Sequence, residues 1–112
     1  MTKMKTILID LDGVLNKYTG EFDENCIPEI REGADKFLKD LYQNYNIKIF
    51  TTRNKILTVK WLIKNKLDQY IKDVTATKEP AWLHIDDRCV SFNGNYAETT
   101  SQINNFKTWY SN

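Results

Sequence analysis

Short, mostly apolar runs that stop abruptly at acidic or hydroxyl residues recur along the chain, separated by stretches long enough for a helix. Ile7-Leu8-Ile9 stops at Asp10, Ile47 to Phe50 stops at Thr51, and Trp82 to Ile85 stops at Asp86-Asp87. The first run does not alternate, which suits a strand covered on both faces, as in parallel sheets. Strands alternating with helices predict an α/β fold: a parallel sheet with helices on both faces.

The expected strands are Lys5 to Asp10, Ile47 to Thr51, a weak Ile71 to Thr75, Trp82 to Asp86, and a short fifth at Val90 to Phe92. Gly13 to Ile27 carries turn chemistry at Asn16, Gly20 and Asp23-Glu24-Asn25 and reads as a loop or small flap. Helical spacing at Ile30, Ala34, Phe37, Leu38 and Leu41 predicts a helix from about Glu29 to Tyr45, opened by Pro28, with Gly33 able to delay its start. Asn54 is placed to cap a second helix to about Leu67, with Ile56, Val59, Ile63 and Leu67 on one face. A last amphipathic helix is expected over Tyr96 to Tyr110, with Ile103, Phe106 and Tyr110 in register. At 112 residues the chain has room for one domain, read as spanning 1–112.

Composition removes several classes. A net charge of +1 argues against a domain held on nucleic acid by bulk basicity, and a second strongly apolar run that would suit a membrane protein is missing. The stretch Met1 to Ile9 has basic residues before an apolar run, but three apolar residues are too few for an export signal, so a cytoplasmic location is expected. Cys26 and Cys89 stand far apart with no histidine cluster, which points to reduced thiols and away from structural zinc. A Ser-His-Asp site would have to use His84 with Ser91, Ser101 or Ser111 and no nucleophile elbow.

Ligands of parallel sheets bind beyond the carboxyl ends of the strands. There the chain places Asp10 and Asp12, then Thr51-Thr52-Arg53, then Asp86-Asp87-Arg88, with Lys78 in the loop before the last group. Four of nine aspartates at one edge call for a cation, and oxygen-only ligands favour Mg²⁺. Asp10 can then attack phosphorus, Asp12 can serve as general acid, and Thr51 and Lys78 can hold the equatorial oxygens of a transferring phosphoryl group.

Ile7 to Leu15, with the pattern Ile-Leu-Ile-Asp-Leu-Asp-Gly-Val-Leu, resembles the first motif of the haloacid-dehalogenase-like (HAD) superfamily. Ile47-Lys48-Ile49-Phe50-Thr51 resembles its second motif, Lys78 its third, and Ile85-Asp86-Asp87 its fourth. Thr75 to Ala81, then Ile85 to Arg88 and Phe92-Asn93-Gly94, is similar to small phage and bacterial members; the phosphatase half of polynucleotide kinases is a relative. The resemblance implies a three-layer Rossmann-like sheet in order 3-2-1-4-5 and an aspartyl-phosphate intermediate. It also implies Mg²⁺ held by Asp10, the Asp12 carbonyl and a carboxylate of Asp86 or Asp87, with Thr51 rather than Thr52 as the second motif's residue.

In that family, Asp12 points to a phosphatase or phosphotransferase. The 38 residues between Asp12 and Thr51, and the 26 between Thr51 and Lys78, leave no room for a cap domain. The expected activity is phosphomonoester hydrolysis in an open site flanked by Asn16 to Ile27. A nucleotide or a phosphate-ended nucleic acid is the first choice of substrate, with Lys60 and Lys64 able to follow a polyanion. Thr52, Arg53 and Arg88 are candidate substrate contacts, although Arg88 is as well placed to pair with Asp86, Asp87 or a helix end. His84 reads as a core histidine, and Trp61, Trp82 and Trp109 as ordinary core or surface aromatics. The competing classes are a receiver-like phospho-acceptor, disfavoured because Lys78 precedes the acid pair, and a non-catalytic regulatory domain on the same scaffold.

Overall fold

A computed structural model of the chain describes residues 4–110. Met1 to Lys3, part of the stretch weighed as an export signal, and Ser111-Asn112 lie outside the described residues. The elements are β1 (Thr6–Asp10), α1 (Ala34–Tyr42), β2 (Asn46–Phe50), α2 (Lys55–Lys64), β3 (Asp73–Thr75), β4 (Leu83–Ile85) and α3 (Tyr96–Asn104), with a 3₁₀ turn at Asp68–Tyr70. The four strands form one parallel sheet in the order β3-β2-β1-β4, an arrangement compatible with a Rossmann-like fold.

Register explains which side chains are buried. Ile7 pairs with Ile47 and Leu83, while Ile9 pairs with Ile49 and Ile85, so these residues share one face. On that face Ala34 and Leu38 of α1, Trp61 and Leu62 of α2, then Leu67 and Val74 close a single apolar cluster with Leu11 and Leu15. The opposite face carries Leu8 between Lys48 and His84, and the Lys48 ammonium reaches Glu79 at 3.0 Å across it. The segment between β3 and β4, expected as a loop, thus lays an ion pair over the face on which the α/β reading also expected helices.

Several expected elements are corrected. Residues 90–92 form no strand, so the sheet of the described residues has four strands. The first helix starts at Ala34, five residues later than Glu29, because Gly33 turns into the left-handed region at φ 89°. Ile30, expected inside that helix, instead makes an antiparallel bridge to Asn16 that closes the base of a flap. The second helix is capped by Asn54, whose side chain accepts from Leu57 N–H, as expected. Its buried face, however, is Thr58, Trp61 and Leu62, leaving Ile56 and Ile63 exposed. The apolar residues of this helix nearly encircle it, so spacing alone does not choose a face. Trp61 chooses it by burying its ring and donating its indole N–H to Pro28 O. The third helix stops at Asn104 and buries no residue, so the predicted in-register stripe through Tyr110 is not formed. His84 is exposed on the edge strand and is not a core histidine.

Candidate functional site

β1, at the sheet centre, delivers Asp10 to the carboxyl edge, and its neighbour β4 delivers Asp86 and Asp87 beside it. One carboxylate oxygen from each of Asp10, Asp86 and Asp87 lies within 4.8 Å of the others. Asp10 is pushed up from its ordinary 3.8 to about 8, first by burial and then by the charge of Asp86 and by Asp87. Asp86 is held below the usual range despite its partial burial, because Arg88 N–H and the Lys78 ammonium donate to it. Lys78 Nζ stands 3.1 Å from Asp86 Oδ2, and Arg88 N stands 2.9 Å from Asp86 Oδ1. Asp87 Oδ2 is buried and has no hydrogen-bond partner among the described residues.

The carboxylate of Asp12 is turned away from this cluster. Arg53 Nε donates to both of its oxygens, at 3.1 and 2.9 Å, and Asn16 Nδ2 donates to Oδ1 at 2.9 Å. Arg53 is thus not open to a substrate phosphate as expected; its side chain is 1% exposed. Its Nη1 instead donates to Asp23 O and Cys26 O, and Phe22 packs 4.5 Å from the guanidinium. One buried arginine therefore fixes both Asp12 and the tip of the flap, while Lys17 N–H to Glu29 O and Arg31 N–H to Leu15 O clamp the flap's base.

An open cleft of about 280 Å³ lies over the acids, lined by Asp10, Asp12, Thr52, Asp86, Asp87 and Arg88 and rimmed by Tyr18, Phe22 and Tyr110. Thr52 and Arg88 line this cleft as candidate contacts. Thr51 is buried beneath it, its hydroxyl oxygen accepting from Arg53 N–H. Lys78 stands at the edge of the acid cluster, half-exposed and committed to Asp86. Lys55, at the start of α2, is engaged with Asp73 at 3.4 Å, and Lys60 and Lys64 are exposed farther along.

Comparison with protein-family models, curated proteins and solved structures returns no match. The site is therefore read on its own chemistry. Three converging carboxylates, one with an unpartnered buried oxygen and one carrying a strongly raised pKa, are a donor set that fits a hard divalent cation.

Three contributors escaped sequence reasoning. Asn16 is fully buried and orients Asp12 while its Oδ1 accepts from Gly13 and Tyr18 N–H; its place four residues past Asp12 was the available signal. Gly13 sits at φ 83°, and a Cβ there would stand 2.2 Å from Asp87 Oδ2, so only glycine lets β4's acid approach. Tyr110, more than 90 residues beyond Asp10, left no local signal.

Proposed function

We propose that the protein is a Mg²⁺-dependent phosphomonoesterase of the HAD type, without a cap domain, in which Asp10 attacks phosphorus. The observation that carries this reading is the convergence of Asp10, Asp86 and Asp87 at the carboxyl edge of a parallel sheet. Asp10, Asp86 and Asp87, with the Asp12 carbonyl, would hold the cation, which when bound neutralises the acids and the charge of the phosphoryl group.

Asp10 must be ionised to act as a nucleophile, and its own surroundings keep it protonated to about pH 8. The reading therefore requires positive charge in the cleft, which Lys78 supplies in part through Asp86. Asp10 Oδ bonds to phosphorus as the ester oxygen departs, taking a proton from Asp12. Water then attacks phosphorus, the bond to Asp10 Oδ breaks to return the carboxylate and release inorganic phosphate, and Asp12 accepts that water's proton. The Arg53 and Asn16 bonds hold Asp12 as an acceptor, the form needed for the second half. To donate, Asp12 must rotate off Arg53. Thr52 and Arg88, which line the cleft, are the proposed contacts of the phosphate oxygens.

The rim of Tyr18, Phe22 and Tyr110 supports a substrate with a flat ring near its phosphate, such as a nucleotide or the phosphate end of a nucleic acid. Phosphate release should be measured with Mg²⁺ on an aryl phosphate, nucleoside monophosphates and phosphate-ended oligonucleotides. Asp10→Asn is expected to abolish release from all of them while remaining folded. Retained turnover by that variant would end the nucleophile assignment. Stable phosphorylation of wild type by acetyl phosphate, without turnover, would favour a receiver-like acceptor.

A further inference from the structure

The residues that follow α3 are held in place, although α3 itself buries nothing. Their contacts gather at the cleft. Trp109 Nε1 donates to Gly13 O at 2.6 Å, and the Arg31 guanidinium lies 4.1 Å from its ring centre. Tyr110 meets Trp109 and Tyr18 edge-on, with ring centres 5.2 and 5.9 Å away. The Tyr110 ring and the Asp87 carboxylate both flank Gly13 and line the cleft, and the phenol's pKa is raised, first by burial and then by Asp87. Tyr110 Cε1 would stand 3.2 Å from a Cβ at Gly13, so the ring fills space that the glycine leaves open.

We propose that residues 105–110 form a strap that completes the cation end of the cleft, with Trp109 as its latch and Tyr110 as a positioning residue for Asp87. The inference rests on the reading above, in which Asp10, Asp86 and Asp87 hold a divalent cation. A carboxylate at the start of a loop rotates freely unless something holds it, and β4 ends at Ile85, two residues before Asp87. Asp86 has Lys78 and the Arg88 N–H to hold it. For Asp87 the neighbouring group at Gly13 is the phenol of Tyr110, and in this role a neutral donor would orient the carboxylate without cancelling the charge that attracts the cation. Partners of this kind, one step removed from a metal, set affinity by about 10–100-fold.

The test is Mg²⁺ affinity of the full chain, measured by calorimetry with no substrate present. Tyr110→Phe keeps the ring against Tyr18 and Trp109 but removes the hydroxyl. It is expected to raise the Mg²⁺ dissociation constant about tenfold while leaving the melting temperature in chelator within about 2 °C of wild type. Trp109→Phe removes the bond to Gly13 O and is expected to weaken Mg²⁺ in the same direction, although Trp109 touches none of the acids. Wild-type affinity within twofold in Tyr110→Phe would overturn the positioning role and leave the cation reading standing. Absence of Mg²⁺ binding by wild type would overturn the cation reading itself, and the strap's role with it.

Discussion

Metal-free protein should lose stability as pH rises, and Mg²⁺ should abolish that loss. Asp10 titrates near its ordinary 3.8 in the unfolded chain and at about 8 in the folded one. Between those values the unfolded state has released a proton that the folded state still holds, so raising pH favours unfolding. The contribution is fully present below about pH 4 and is gone once pH passes about 8. Full exclusion from water would make the difference about 5–6 kcal/mol. The carboxyl is only partly buried, so solvent screening brings this to roughly 2–3 kcal/mol. For a chain of this size that is a fall of about 10 °C in melting temperature. Asp86, whose pKa is lowered, acts with the opposite sign, but its stability is lost only as pH falls below about 4. The assay is thermal unfolding from pH 4.5 to 8.5, once in chelator and once in millimolar Mg²⁺. Stability in chelator that stays flat or rises over that range would refute the argument that Asp10 is charged at a cost set by its burial and by Asp86 and Asp87.

Arg53→Lys should cost about 1.5–3 kcal/mol, because one ammonium cannot reach Asp12, Asp23 O and Cys26 O together and leaves flap carbonyls without their donor; denaturant unfolding measures this, with proteolysis within residues 17–29 reporting release of the flap. Gly13→Ala should destabilise by roughly 1–3 kcal/mol through its positive φ and, by displacing Asp87, should weaken Mg²⁺ more than Tyr110→Phe does, which calorimetry checks. Native-state hydrogen exchange should find the β4 amides opening before those of β1 and β2, because β4 is a three-residue edge strand whose Leu83 is exposed.

What the sequence made legible is whatever local pattern controls. Ile7 to Ile9 running into Asp10 announces a buried central strand, and Asn54 announces a helix start; both hold. The parallel α/β sheet expected from alternating strands and helices is found, with four strands among the described residues where five were expected. Where several apolar residues compete for one interior, periodicity fails, as α2 shows when the Trp61 face displaces the Ile56 and Ile63 face. In the site, the acids of Asp10, Asp86 and Asp87 were legible because strand ends gather in parallel sheets. Arg53 was legible as important but not in its role. Its reach to Asp23 and Cys26 depends on how the flap folds back, which no spacing encodes. Tyr110 depends on the path taken after α3, and the helical pattern there pointed to a different conformation.

The flap is tied at its base by main-chain bonds to Leu15 and Glu29 and near its tip by Arg53. A loop anchored at both places has no hinge about which to close over the cleft, which stays open to water. On the proposed reaction this decides the fate of the phosphoryl group on Asp10. An enzyme that hands phosphate to a chosen acceptor must keep water away from the acyl phosphate while the acceptor arrives. Here bulk water at tens of molar outcompetes any dilute alcohol or amine for the same phosphorus, and partition favours inorganic phosphate over a transferred ester. The fixed flap thus tilts a chemistry shared by hydrolases and transferases toward hydrolysis.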